Sequence, residues 1–192
     1  MKSICIFAGS SLGNKNEYKA AAIQTGKIMA DQGIRLIYGG SKKGLMGEVA
    51  NEVLMNGGEV IGVMPRGLSN GENVHGQLTE LIAVDSMHER KAKMHNLADG
   101  FIALPGGLGT FEELFEVLCW SQIGIHQKPV GLLNSCGYYD PVLNIIQHSI
   151  LEGFVNKIHQ KIMNTSSDPE ELIKMMSMYS PPNMELKWKT GE

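Results

Sequence analysis

Apolar positions along the chain follow two alternating rhythms. Short runs at Ile4–Phe7, Leu36–Tyr38, Val60–Met64, Leu81–Val84, Phe101–Leu104 and Val130–Leu133 have the length and composition of strands. Longer stretches near 18–32, 45–56, 87–98, 110–124, 140–152 and 169–179 carry apolar residues at helical spacing. Strand–helix alternation predicts a single α/β domain, a doubly wound parallel sheet with helices on both faces. Helix starts are marked in the sequence. Asp140-Pro141 and Asp168-Pro169 place an acid before a proline, and Ser86 with Glu89 and Thr110 with Glu113 have capping-box spacing. Pro65–Thr79, with Gly67, Gly71 and Gly76, is the longest internal loop. The polar stretch from Ser180, with Pro181-Pro182, reads as a poorly ordered tail, which sets the domain at 1–180 and the tail at 181–192.

Composition narrows the function more than the fold. A chain of 192 residues fits one well-buried domain better than two. A net charge of −3 lacks the basic excess of a nucleic-acid binder. No apolar run approaches membrane-spanning length, and the N-terminal run is too short for a signal peptide. The three cysteines, Cys5, Cys119 and Cys136, form no CxxC pair, so neither a disulfide framework nor a zinc site is expected. Cys5 and Cys119 read as small core residues, and the cytoplasm as the compartment. The six histidines show no ligand spacing and are expected to be solvated or capping.

The strand ends carry the first chemical signal. Ala8-Gly9-Ser10-Ser11, Gly39-Gly40-Ser41 and Pro105-Gly106-Gly107-Leu108-Gly109-Thr110 are rich in glycine and hydroxyl groups. Ligands of such sheets bind beyond the carboxyl ends of the strands. Glycine lets backbone N–H groups approach an anion, and a following helix start adds partial positive charge. Three such turns at one edge point to a phosphate. The first turn is not GxGxxG, and the second strand ends in Tyr38-Gly39 without an acid for a ribose hydroxyl, which argues against NAD. The chain has no GxxxxGK[ST] and so no P-loop.

Arg90 falls on the apolar stripe of its helix with Met87 and Met94. Either it snorkels from the edge of that stripe, or it pairs with a ligand or a buried carboxylate. Glu113 is the natural partner at the same sheet edge, although the capping box offers it a purely structural role. Glu112 and Glu116 are ordinary acids for a first helical turn.

The same segments carry a family resemblance. Pro105-Gly106-Gly107-Leu108-Gly109-Thr110-Phe111-Glu112-Glu113 is similar to the PGGxGTxxE signature of the Lonely Guy family, the cytokinin riboside 5′-monophosphate phosphoribohydrolases. Met87-His88-Glu89-Arg90-Lys91 resembles its second motif, and Gly39-Gly40 with Gly44-Leu45-Met46-Gly47 its nucleotide-binding turn. The likeness spans about residues 3–155. It implies a Rossmann-like fold, a homodimer, no cofactor, and hydrolysis of an N6-modified adenosine monophosphate to free base and ribose 5-phosphate. A general purine-nucleotide nucleosidase and a non-catalytic nucleotide or cofactor carrier are the alternatives. Carried over, Arg90 and Glu113 are the catalytic candidates. Ser10, Gly39, Gly40, Lys91, Gly107, Leu108, Gly109, Thr110, Phe111 and Glu112 are the substrate-binding candidates, and no metal ligand is expected. Two positions depart from the family pattern: Gly67 follows Pro65-Arg66, and Cys119 precedes Trp120. Such proteins once carried the label lysine decarboxylase, but the chain is short for pyridoxal machinery.

Overall fold

A computed structural model describes residues 1–68, 74–184 and 188. Among them, seven strands form one sheet: β1 (Ser3–Phe7), β2 (Arg35–Tyr38), β3 (Val60–Pro65), β4 (Glu80–Val84), β5 (Gly100–Ala103), β6 (Val130–Leu133) and β7 (Met163–Ser166). Their spatial order is β4-β3-β2-β1-β5-β6-β7, and every pairing is parallel. The helices are α1 (Asn16–Asp31), α2 (Gly44–Met55), α3 (Met87–Leu97), α4 (Leu108–Ile123), α5 (Asp140–Leu151) and α6 (Pro169–Ser177). The winding reverses between β1 and β5, which opens a crevice at their carboxyl ends.

The two faces of the sheet carry separate cores, because successive strand residues point opposite ways. Ile4, Ile6, Leu36 and Tyr38 pack under α1, α2 and α6 with Met29, Val49 and Leu172. Cys5, Phe7, Ile37 and Val63 pack on the other face with Met94, Leu114 and Val117 of α3 and α4. All residues of β1, β3, β5 and β6 are buried, as central strands of a two-sided sheet must be.

The doubly wound α/β expectation holds, with corrections at particular residues. β7 goes unseen in the sequence because Met163-Asn164-Thr165-Ser166 is a polar edge strand without an apolar run. Helix α4 starts at Leu108 with Gly107 as N-cap, so Thr110 and Glu113 form no capping box. The Ser86 cap is present: its hydroxyl accepts from the Glu89 N–H, while Glu89 reaches back to the Asp85 N–H. Asp168 caps α6, whereas Asp140 lies inside α5 with Tyr139 at the cap. Cys119 is exposed rather than core. Of the tail, Met184 packs against the core and the Trp188 N–H bonds to Ile123 O. Residues 185–187 and 189–192, and residues 69–73 of the long loop, lie outside the described residues.

Two histidines expected at the surface are buried, His75 and His126. In each, one ring nitrogen accepts a backbone N–H, from Gln77 and Lys128 respectively. The other faces an acceptor, Asn51 Oδ1 or Val117 O. That pattern requires a neutral ring with the proton on Nε2. Burial accordingly pushes His126 down to about 4.

Candidate functional site

The crevice holds a cleft of about 260 Å³ lined by Ala8, Gly9, Ser10, Met46, Arg90, Gly107, Leu108, Gly109, Thr110 and Glu113. Three chain turns meet here backbone against backbone. A Cβ on Gly44 would lie 2.2 Å from the Ser10 carbonyl carbon, and one on Gly106 would lie 2.8 Å from the Gly9 nitrogen. Glycine is therefore required for the turns to touch, apart from any ligand. The N-terminus of α4 opens into the cleft with no side-chain cap, so its first N–H groups remain available to an anion.

Arg90 enters from α3. Its guanidinium crosses over the end of β2, where a Cβ on Gly39 would fall 2.2 Å from Nη2. Nε donates to Val63 O at 3.2 Å, and Nη2 lies 3.3 Å from Glu113 Oε1. Both side chains are only 13% exposed. Burial pushes the Glu113 carboxyl up to about 7; Arg90 and Lys91 pull it down, while Glu112 and Glu116 push it up. A single 3.3 Å contact does not offset the loss of water around the carboxylate. The Glu113 carboxyl is thus raised toward neutrality, the range in which a carboxyl group can serve as acid or base.

Lys91, one residue further on, is paired with other acids. Its Nζ sits 2.5 Å from Glu112 Oε1 and 2.6 Å from Glu116 Oε2. Burial alone would lower its pKa, but the hydrogen bonds and charges of the two glutamates raise it, so Lys91 stays an ammonium. A Schiff-base lysine needs the opposite environment.

Of the expected residues, Ser10, Arg90, Gly107, Leu108, Gly109, Thr110 and Glu113 come together in the cleft. Gly39 lies behind the arginine, and the Gly40 carbonyl is taken by the His75 N–H at 3.0 Å. Lys91 and Glu112 stand beside the cleft in their own ion cluster, and Phe111 stacks on Tyr138. Met46 lines the cleft although sequence reasoning missed it; its signal is its place in the glycine turn that opens α2. Among the described residues no three His, Cys, Asp or Glu side chains converge as metal ligands would.

Comparisons with known proteins speak to the chain as a whole. The family described as "Possible lysine decarboxylase" matches residues 46–176. The chain is 45% identical to the cytokinin riboside 5′-monophosphate phosphoribohydrolase LOG2 of Arabidopsis thaliana, over 94% of this chain and 84% of that protein. It is 46% identical to the phosphoribohydrolase LOG of Oryza sativa subsp. japonica, over 94% of this chain and 74% of that one. Among solved structures, the molybdenum cofactor binding protein of Rippkaea orientalis superposes with a TM-score of 0.68 at 24% identity, covering 93% of this chain and 97% of its own. That likeness concerns the fold alone.

Proposed function

The chain belongs to the family of cytokinin riboside 5′-monophosphate phosphoribohydrolases, the Lonely Guy proteins, and we propose that it hydrolyses the N-glycosidic bond of an N6-modified adenosine 5′-monophosphate. Water adds across the bond, and free base and ribose 5-phosphate leave. The observation that carries this reading is the buried Arg90–Glu113 pair facing an uncapped helix start across one cleft.

The parts suit the reaction. The α4 N-terminus with Gly107, Gly109 and Thr110 anchors the 5′-phosphate, giving binding energy remote from the bond that breaks. Cleavage of a ribosyl C–N bond builds positive charge on the sugar, as in glycoside hydrolysis. The Glu113 carboxylate stabilises that charge and takes a proton from the attacking water, and a proton passes to the nitrogen of the departing base, so that the net addition is one water. Arg90 supplies fixed donors to the phosphate or to the departing base, and its contact with Glu113 holds the acid in place. The decarboxylase description finds no support at Lys91, whose charge is stabilised rather than suppressed.

A second copy of the chain is the proposed partner. Helices α4 and α5 leave an apolar groove of about 320 Å³ between Phe115, Cys119, Ile145, Ile146 and Val155, and Ile145 is 59% exposed. Self-association would cover this face. The three cysteines are free thiols, which supports the cytoplasm as the compartment.

The test is a panel of nucleoside monophosphates scored for free base and ribose 5-phosphate. Isopentenyladenosine monophosphate should release base, and the matching nucleoside should react far more slowly for lack of the phosphate anchor. Equal turnover of AMP would identify a general purine-nucleotide nucleosidase. Binding without release of base would identify a carrier.

A further inference from the structure

Four successive carbonyls in the turn from β5 into α4 each accept a hydrogen bond. Tyr139 Oη donates to Leu104 O at 2.6 Å, and the Gly9 N–H donates to Pro105 O at 3.0 Å. The Tyr138 hydroxyl donates to Gly106 O, and the Phe111 N–H to Gly107 O at 3.0 Å. Two adjacent tyrosines thus hold carbonyls two residues apart. They can do so because their rings stand at 89° to each other, with centroids 5.1 Å apart.

The segment carrying them is itself tightly set. Asn134 Oδ1 accepts the Tyr139 N–H at 2.6 Å, and Asn134 Nδ2 donates to Asp140 Oδ1 at 2.8 Å. Cys136 holds a left-handed φ of 54°, a conformation that costs free energy for any residue but glycine. Such a turn fixes where the two hydroxyls point.

The geometry of the peptide unit carries this constraint into the cleft. A trans peptide is planar, and its C=O and N–H point in opposite directions. With the Gly106 carbonyl drawn to Tyr138, the Gly107 N–H must point away from Tyr138. Tyr138 stands on the wall of a neighbouring cleft with Ser11, Leu12, Tyr18 and Leu45, and Gly107 lies on the divide between that cleft and the Arg90–Glu113 cleft. The Gly107 N–H is thereby aimed into the latter, alongside the first N–H groups of α4. The peptide is packed unevenly: a Cβ on Gly106 would meet Thr110 and the Gly9 nitrogen, whereas a Cβ on Gly107 would meet nothing within 4 Å. The Gly107 end therefore relies more on the hydrogen bonds of the neighbouring carbonyls, that of Tyr138 among them.

We propose that Tyr138 is a positioning residue, whose hydroxyl sets the Gly106–Gly107 peptide plane so that the Gly107 N–H binds the 5′-phosphate. This rests on the hydrolase reading above. Tyr139 supplies an internal control. Its acceptor, Leu104 O, shares a peptide unit with the nitrogen of Pro105, which has no hydrogen to aim. The Tyr139 hydroxyl is therefore a matter of stability only.

The experiment compares Tyr138→Phe with Tyr139→Phe in the full chain. Tyr138→Phe removes only the hydroxyl, and the remaining ring can keep its contacts with Tyr18 and Phe111, so this variant should fold. Titration with inorganic phosphate and with ribose 5-phosphate reads the anion site without turnover. Tyr138→Phe should weaken both ligands about tenfold, the effect of one charge-assisted hydrogen bond. It should raise KM for the nucleotide by a similar factor with kcat and Tm near wild type. Tyr139→Phe should lower Tm and leave phosphate affinity unchanged. Equal phosphate affinity in wild type and Tyr138→Phe overturns the role of the tyrosine while leaving the hydrolase reading intact. Equal losses in the two variants also overturn it, since they show general loosening of the turn. Wild-type protein that binds neither ligand removes the anion site, and the proposed function with it.

Discussion

Helices α3 and α4 meet through two ion clusters built on neighbouring residues, and the two are made in opposite ways. Lys91 is saturated: two carboxylates lie within 2.6 Å of its ammonium, and Glu112 is 53% exposed. Arg90 and Glu113 share a single 3.3 Å contact while both are nearly withdrawn from water. The first arrangement satisfies its charges and raises the pKa of its cation. The second leaves its acid pushed up to about 7. A cluster that serves only stability has no reason to hold a buried carboxyl so poorly compensated, whereas a site that waits for a ligand's charge does. The contrast supports the proposal that Arg90 and Glu113 carry the chemistry, and it shows Lys91 already paired with Glu112 and Glu116 before any substrate is bound.

The largest expected effect comes from Glu113→Gln. The amide keeps the shape and an acceptor for Arg90 but cannot carry the negative charge. Turnover should fall at least about a hundredfold, while thermal melting matches wild type at low pH and is no lower than wild type at neutral pH. A Gln variant with near-normal base release would break the contrast and return Glu113 to a structural role.

Arg90→Ala should follow closely, with loss of turnover in a protein that still folds. Gly39→Ala sharpens the same point without replacing either charged residue. The new methyl group would sit 2.2 Å from Nη2 and force the guanidinium to move, so kcat/KM should fall about tenfold. An unchanged kcat/KM in Gly39→Ala would show that the guanidinium need not lie where it does.

The pH dependence has two opposite signs. Glu113 is shifted from 4.5 to about 7 on folding, so the folded state retains a proton that the unfolded chain has released. Its contribution to stability is complete below pH 4.5 and is lost as pH rises to about 7. Activity, which needs the carboxylate, should instead rise through about pH 7. Denaturation at a series of pH values, wild type against Glu113→Gln, checks the first. A pH–rate profile checks the second, and a profile flat from about pH 5 to 8 would contradict it.

The smallest effect is expected at Lys91→Met. This smallest effect is on turnover; Lys91 and Glu116 are largely buried and only Glu112 is open to solvent, so loss of the ammonium should cost stability by about 1–3 kcal/mol. Lys91 lowers the Glu113 pKa, while Glu112 and Glu116 raise it. Removing the lysine should therefore move the rising limb of the rate profile to higher pH. A loss as large as that of Arg90→Ala would make Lys91 a direct ligand of substrate.

The parallel α/β architecture is legible in the amino-acid sequence, as are the glycine turns at one sheet edge. So is the pairing of an arginine on an apolar stripe with an acid beside the signature turn. Strand and helix periods are local, and glycine at a strand end has few other uses. Other features exist only once the chain is folded. The passage of Arg90 over Gly39 joins residues 51 positions apart in sequence, and no local period records it. The spacing of Thr110 and Glu113 fits a capping box, but α4 begins at Leu108 with Gly107 as its cap, and Glu113 faces Arg90. Cys119 has apolar neighbours along the chain yet lies on the outward face with Phe115 and Gln122. His75 and His126 each have one ring nitrogen satisfied by the N–H two residues on, but their burial is completed by partners further away along the chain, Asn51 and the Val117 carbonyl. Burial of a polar group depends on what is folded against it, and that partner is set by topology rather than by the residues on either side.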